Sequence, residues 1–114
     1  MSRDKATLLD ILKAARLAIE FREGMNKPTF LSDHKTQSSI LHQLLILGEA
    51  VKRLPEGFKE RHPEIPWKAI AGMRDTLIHS YNNVDLEEVW KTITVDLPRI
   101  VSQIELLVPP EEES

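Results

Sequence analysis

The sequence contains no cysteine. That excludes a disulfide scaffold, a thiolate zinc site and a cysteine nucleophile. Long apolar runs are also missing. None approaches the roughly 18 residues that a membrane span needs, and the charged N-terminus has no signal-peptide core. The expected location is therefore the cytoplasm, with no membrane partner. Glycine is scarce, at 4 residues, and aromatic residues make up 5%, with a single tyrosine. There is no Gly-rich phosphate loop and no G-x-S-x-G elbow, so two common nucleotide-binding and hydrolase signatures are absent. An excess of basic charge is lacking too: 15 Lys and Arg stand against 18 Asp and Glu, a net charge of −3. Net charge does not draw such a chain to nucleic acid, no DNA partner is expected, and RNA binding needs a local basic patch.

What is present is the composition of an ordinary globular protein, 114 residues with 41% hydrophobic and 29% charged. That length suits one domain, and about two-thirds of the unfolded surface can be buried. The 7 prolines mostly separate periodic segments. The pattern predicts a few long helices with short connections, and no strand alternation stands out.

The first helix is predicted from about Arg3 to Glu23, capped by Ser2, with Leu8, Ile11, Leu12, Ala15 and Ile19 on one face and Gly24 as its stop. Residues 24–32, with Pro28, read as a connection. Ser32 or Asp33 caps a second helix reaching about Leu54. Its apolar set, from Ile40 to Val51, covers more than one face, which suits a central helix or one shared with a second subunit. Pro55 and Gly57 end it, and residues 58–62 form at most a helical turn. A third helix is predicted from Trp67 to about His79, with Pro66 at its start and Asn82-Asn83 as the following turn. Asp85 and Glu88 open a fourth helix as a D-x-x-E cap, with Val89, Ile93, Leu97, Ile100, Ile104 and Leu107 on one face. Pro98 lies inside this helix and should bend it, because the Thr94 carbonyl loses its partner. The expected fold is all-α, an up-and-down bundle of four main helices over residues 1–108, with 109–114 as a flexible acidic tail.

The chemistry gathers in Met73-Arg74-Asp75-Thr76-Leu77-Ile78-His79-Ser80-Tyr81. On a continuous helix Asp75 and His79, at i and i+4, share a face, so the carboxylate can fix the imidazole tautomer. Arg74 and His79, at i and i+5, diverge by roughly 140°. They converge only if the helix unwinds near Ser80 or a second copy brings its own motif alongside. Taken singly, these residues fit a surface Arg–Asp pair, a helix-terminal His and a half-buried Tyr. Taken together they suit phosphoryl chemistry: His takes the proton of a ribose 2′-hydroxyl and guanidinium neutralises the phosphorane, neither role needing a metal. Lys52, Arg53, Lys59, Arg61 and Lys68 form either an RNA-binding patch or a solvated face. Glu49, in an apolar stretch, reads as a possible interfacial or site-lining carboxylate. His34 and His42 lack a metal-ligand signature, His62 reads as a loop residue, and Trp67 and Trp90 read as core.

The sequence resembles the HepT family of small HEPN-domain toxins over nearly its whole length. The resemblance is carried by Gly48-Glu49-Ala50-Val51-Lys52-Arg53-Leu54, by His62-Pro63-Glu64-Ile65-Pro66-Trp67, by Ile70-Ala71-Gly72-Met73-Arg74-Asp75, and by Val84-Asp85-Leu86 with Val89-Trp90. The family's R-x4-H-x-Y pattern is present as Arg74, His79 and Tyr81. The resemblance implies a HEPN-like homodimer with the two motifs facing each other across a cleft, and metal-independent RNA cleavage without a cofactor. Arg74 and His79 are then catalytic, Asp75 orients His79, and Lys52, Arg53 and Lys68 are candidate RNA contacts. It also implies a toxin–antitoxin pair of the type VII kind, with an MntA-type nucleotidyltransferase antitoxin transferring AMP from ATP to Tyr81. A phosphate ester there places bulk and negative charge at the RNA cleft. Where the family has a polar residue, often Asn, this chain has Asp75. The alternative reading is a non-catalytic helical dimer that binds a nucleotidyltransferase or a nucleotide.

Overall fold

The structure is a computed structural model that describes residues 2–80 and 83–108; of Arg74, Ile78, His79 and Ser80 it describes the backbone. Tyr81, Asn82 and the expected tail at 109–114 lie outside the described residues.

The chain is mostly helical. Helix α1 spans Arg3–Phe21, and the Ser2 hydroxyl accepts the Lys5 N–H at 3.1 Å. The helix ends two residues before the expected Glu23. The Arg22 and Glu23 amides bond instead to the Ile19 and Glu20 carbonyls, and Gly24 takes φ 80°, a left-handed turn that glycine adopts without strain. The predicted connection over 24–32 contains a helix, α2 (Lys27–Ser32). Asn26 supplies the signal, since its Oδ1 accepts the Thr29 N–H at 2.9 Å, and Pro28 sits in the first turn where no N–H is needed. Helix α3 (His34–Lys52) is capped by Asp33, whose carboxylate accepts the Thr36 N–H at 3.0 Å and the Thr36 hydroxyl at 2.9 Å. These bonds, the backbone one first, hold the Asp33 carboxyl below its ordinary range.

Short helices α4 (Glu56–Glu60) and α5 (Trp67–Ala71) flank the proline-containing segment. Trp67 anchors that segment, with its indole N–H donating to the His62 carbonyl at 2.9 Å. Trp67 is buried, and Trp90 is half-buried between the Phe30 ring and the Arg22 guanidinium, each 5.3 Å from it.

The single third helix expected over 67–79 does not form. After α5 the chain breaks at Gly72, resumes as α6 (Met73–Leu77), and then becomes extended. Strand β1 (Ile78–Ser80) pairs antiparallel with β2 (Asn83–Val84), in register Ile78↔Val84 and Ser80↔Asn83. This ribbon replaces the last helical turn because its backbone groups find partners across the loop. Glycine at 72 also weakens helix continuity. The fourth helix is likewise divided. It begins as α7 (Leu86–Lys91), capped by Asp85 accepting the Glu88 N–H at 3.1 Å, and finishes as α8 (Leu97–Glu105). Between them Thr92–Asp96 forms a π-helical turn. The π turn thus ends just before Pro98, the residue expected to bend the helix, which sits in the first turn of α8.

The buried residues form one hydrophobic cluster. Leu8, Ile11, Leu12 and Ala15 of α1 face Ile40, Leu44, Leu47 and Val51 of α3, and Ile93, Leu97, Ile100 and Ile104 close it from the C-terminal helices. Gly48 lets α3 cross α5 closely: a Cβ there would meet the Ala71 and Ile70 carbonyl oxygens at 3.4 and 3.5 Å. Two apolar residues of the broad α3 set, Leu45 and Ile46, are exposed at 36% and 37%. Among the described residues no helix is long and apolar enough to cross a membrane.

Candidate functional site

The motif segment is held from beneath. Ile70, Met73 and Leu77 are buried in the core, so α5 and α6 cannot slide relative to α3. Leu77 is the last residue of α6, and its carbonyl accepts the Asp85 N–H at 2.9 Å. The segment 78–84 therefore springs from two fixed points.

Arg74 lies in α6 and His79 in β1. The register of the ribbon shifts between Ile78 and Ser80, so His79 is the bulge residue. Bulges interrupt pairing and occur often beside active sites. The helical relations expected from sequence are corrected accordingly. Asp75 and His79 are not i, i+4 partners on one helix, because the helix ends at Leu77. The roughly 140° separation of Arg74 and His79 lapses for the same reason. The helix unwinds at Ile78, two residues before Ser80, which meets the first of the two conditions for their approach. Asp75 is exposed and makes no hydrogen bond or ion pair among the described residues. Tyr81 lies outside the described residues.

Several cations of the basic cluster have partners in the structure. Lys52 Nζ lies 3.3 Å from Glu49 Oε2, and Arg53 Nη2 lies 3.3 Å from Asp10 Oδ2. Glu49 thus faces solvent with a cation beside it. Arg61 stacks over the Phe58 ring at 5.7 Å. Lys68 remains exposed and without a partner among the described residues, and it lines a depression of about 430 Å³ with Lys59 and Trp67. His62 Nδ1 stands 3.8 Å from Glu64, at the edge of the loop. Among the described residues no group of three or more His, Asp or Glu side chains is arranged to hold a metal ion.

One cavity escaped the sequence reading. It measures about 390 Å³, within the roughly 300–1,000 Å³ of ligand pockets. Its apolar wall comes from Ile70, Met73 and Ile100, and its polar side from Asp96, Arg99 and Gln103. The signal in the sequence is faint, since Asp96, Arg99 and Gln103 recur at helical spacing beside the apolar stripe but are scattered far from α6.

Comparison with known proteins bears on this arrangement. The family profile described as Ribonuclease HepT-like matches residues 11–107. A protein of Thermococcus cleftensis, named as a probable ribonuclease HepT, is 45% identical over 103 residues, 90% of this chain and 94% of that one. A Methanocaldococcus jannaschii protein named as a candidate RNase is 38% identical, covering 91% of this chain and 86% of its own. Another so named, from Caldanaerobacter subterraneus subsp. tengcongensis, is 37% identical over 98% of this chain and 100% of its own. No solved structure matches the chain.

Proposed function

This chain belongs to the HepT-like ribonuclease family, and on that premise we propose that it is a ribonuclease acting through Arg74 and His79 at the cleft of a homodimer. The observation that carries the reading is the intact Arg74, His79 and Tyr81 pattern inside a family match spanning most of the chain. Residues 1–108 form the active unit, a single domain, and the activity belongs in the cytoplasm.

The chemistry is acid–base cleavage without a metal or cofactor. His79 of one protomer takes the proton of the ribose 2′-hydroxyl. The 2′-oxygen attacks phosphorus, and the bond from phosphorus to the 5′-oxygen breaks. His79 of the other protomer gives a proton to that leaving oxygen. The products are a 2′,3′-cyclic phosphate and a 5′-hydroxyl. Arg74 neutralises the charge that develops on the phosphorane. Asp75 orients His79, and Lys52, Arg53 and Lys68 contact the RNA backbone. The exposed Leu45 and Ile46 on α3 favour a partner protomer.

The chain acts as the toxin of a type VII-like pair. An MntA-type nucleotidyltransferase neutralises it by transferring AMP to the Tyr81 phenol oxygen, with pyrophosphate leaving ATP. A second reading, a non-catalytic dimer that docks the nucleotidyltransferase, is favoured by the net charge of −3 and the exposed Asp75.

Inducible expression without a partner tests the pair of readings. The wild type arrests growth and degrades RNA, and Arg74→Ala/His79→Ala does neither. Normal growth and intact RNA for both proteins, with soluble unmodified wild type, would leave the binding module.

A further inference from the structure

The cavity beside α6 contains a carboxylate with no structural task. Asp96 is half-buried, yet it makes no hydrogen bond or ion pair among the described residues and caps nothing at the start of α8. Arg99, three residues on, is exposed at the rim and equally unpaired among the described residues. Gln103 closes the polar side. Its amide nitrogen donates to the Glu64 carbonyl at 3.1 Å, which fixes the orientation of the amide, and its Oε1 is buried with no donor. Asp96 and Glu64 put two carboxylates on the polar side, with the Arg99 cation at the edge.

The matching ligand has adjacent donors on a flat apolar body and a negative charge beside it. Among RNA bases only guanine presents two neighbouring donors, N1–H and N2–H, to a single carboxylate. Adenine and cytosine place an acceptor nitrogen next to their amino group, and uracil flanks its imino N–H with carbonyls. The location also fits. Met73, in the cavity wall, immediately precedes Arg74, so their α-carbons are about 3.8 Å apart. A base held against Met73 sits on the helix that carries Arg74. Unpaired bases splayed into pockets are the usual means of sequence reading in single-stranded RNA.

We propose that this cavity holds an unpaired guanine of the RNA substrate next to the scissile phosphate, with Asp96 accepting from N1–H and N2–H and Arg99 facing a flanking phosphate. The assignment rests on the ribonuclease reading above and makes Asp96 a specificity-determining residue of that site.

The test is binding of the full-length protein to labelled uridine-rich oligoribonucleotides, 2′-O-methylated throughout so that they cannot be cut. One oligonucleotide carries a single guanosine, another inosine at the same place, and a third uridine. Inosine keeps N1–H and lacks the N2 amino group. Guanosine should bind about tenfold or more tightly than inosine, the effect of one hydrogen bond to a charged group. Asp96→Asn should erase that preference. Arg99→Ala should weaken all three oligonucleotides alike and keep the guanosine-to-inosine ratio. Equal binding of guanosine and inosine by the wild type overturns the proposal, even if Asp96→Asn fails to fold. GMP that matches the guanosine oligonucleotide in affinity overturns the RNA assignment and marks a free-nucleotide site. Cleavage of unmodified RNA is followed in parallel. Cutting without guanine preference removes the base site and keeps the ribonuclease reading. Guanine preference without cutting does the reverse.

Discussion

The Leu77 carbonyl accepts the Asp85 backbone N–H at 2.9 Å, joining the last residue of α6 to the N-cap of α7. This one bond closes the seven-residue excursion that carries His79. Leu77 is 2% exposed, so the loop base is anchored in the core rather than on the surface. Leu77→Ala should cost about 2–5 kcal/mol by leaving a cavity. Urea denaturation reads that loss, and RNA cleavage should fall even where the variant remains folded, because the motif loses its fixed point.

The two proposed catalytic residues should separate chemistry from stability. His79→Ala and Arg74→Ala should each lower cleavage by about 10²–10⁴-fold. Their melting temperatures should stay within a few degrees of the wild type. Single-turnover cleavage with a labelled RNA measures the first effect and circular dichroism the second. A His79→Ala protein that cuts at the wild-type rate would remove His79 from the mechanism.

Tyr81→Phe keeps the ring and removes the oxygen that would receive AMP. Incubated with the adjacent nucleotidyltransferase and ATP, the wild type should gain the mass of one AMP per chain and lose its nuclease activity. The variant should gain nothing and stay active. Mass spectrometry of the intact protein decides this.

The Asp33 cap gives a pH dependence of known sign. Its carboxyl is held below the ordinary value of 3.8, first by the Thr36 backbone N–H and then by the Thr36 hydroxyl. A carboxyl lowered on folding adds stability that is full above its unfolded value and lost as pH falls through its folded value. Asp33→Asn should therefore melt below the wild type at neutral pH, and the gap should close as pH falls below 3.8. Melting curves across that range suffice. A gap that is constant with pH would show that ionisation has no part in the cap.

At Gly48 the limit is space. A Cβ would sit 3.4 and 3.5 Å from two backbone carbonyl oxygens of α5, ordinary van der Waals contact that leaves no room for further atoms on that side. Gly48→Ala should be tolerated with small shifts. Gly48→Val should destabilise by about 1–3 kcal/mol, because backbone cannot step aside as a side chain can. Denaturant midpoints for the two variants make the comparison.

Much of this architecture was legible in the sequence because its signals are local. Ser2, Asp33 and Asp85 each cap the helix that follows, as their side chains predict. The apolar stripes of α1 and α3 are buried where the periodicity places them, apart from the half-buried Ile19 and Leu41 and the exposed Leu45 and Ile46. The motif region was legible in composition and misread in shape. Residues 73–79 look helical one by one, and what ends the helix is pairing with Val84 and the Asp85 amide, partners that no local pattern names. The pairing of Arg53 was illegible for a similar reason, since Asp10 lies 43 positions from it. The cavity needed the fold itself, because Met73 and Asp96 come to line one cavity only in the folded chain.

The π-helical turn at Thr92–Asp96 sets the rotational phase of everything after it. An α-helix advances about 100° per residue, and a π turn accommodates roughly one extra residue per turn. Were Thr92–Asp96 wound as ordinary α-helix with all five residues kept, the faces of α8 would turn by about that angle. Ile100 and Ile104 would then leave the core, and Arg99 would swing off the cavity rim. A single deletion there would instead restore the regular turn and leave every side chain of α8 in phase.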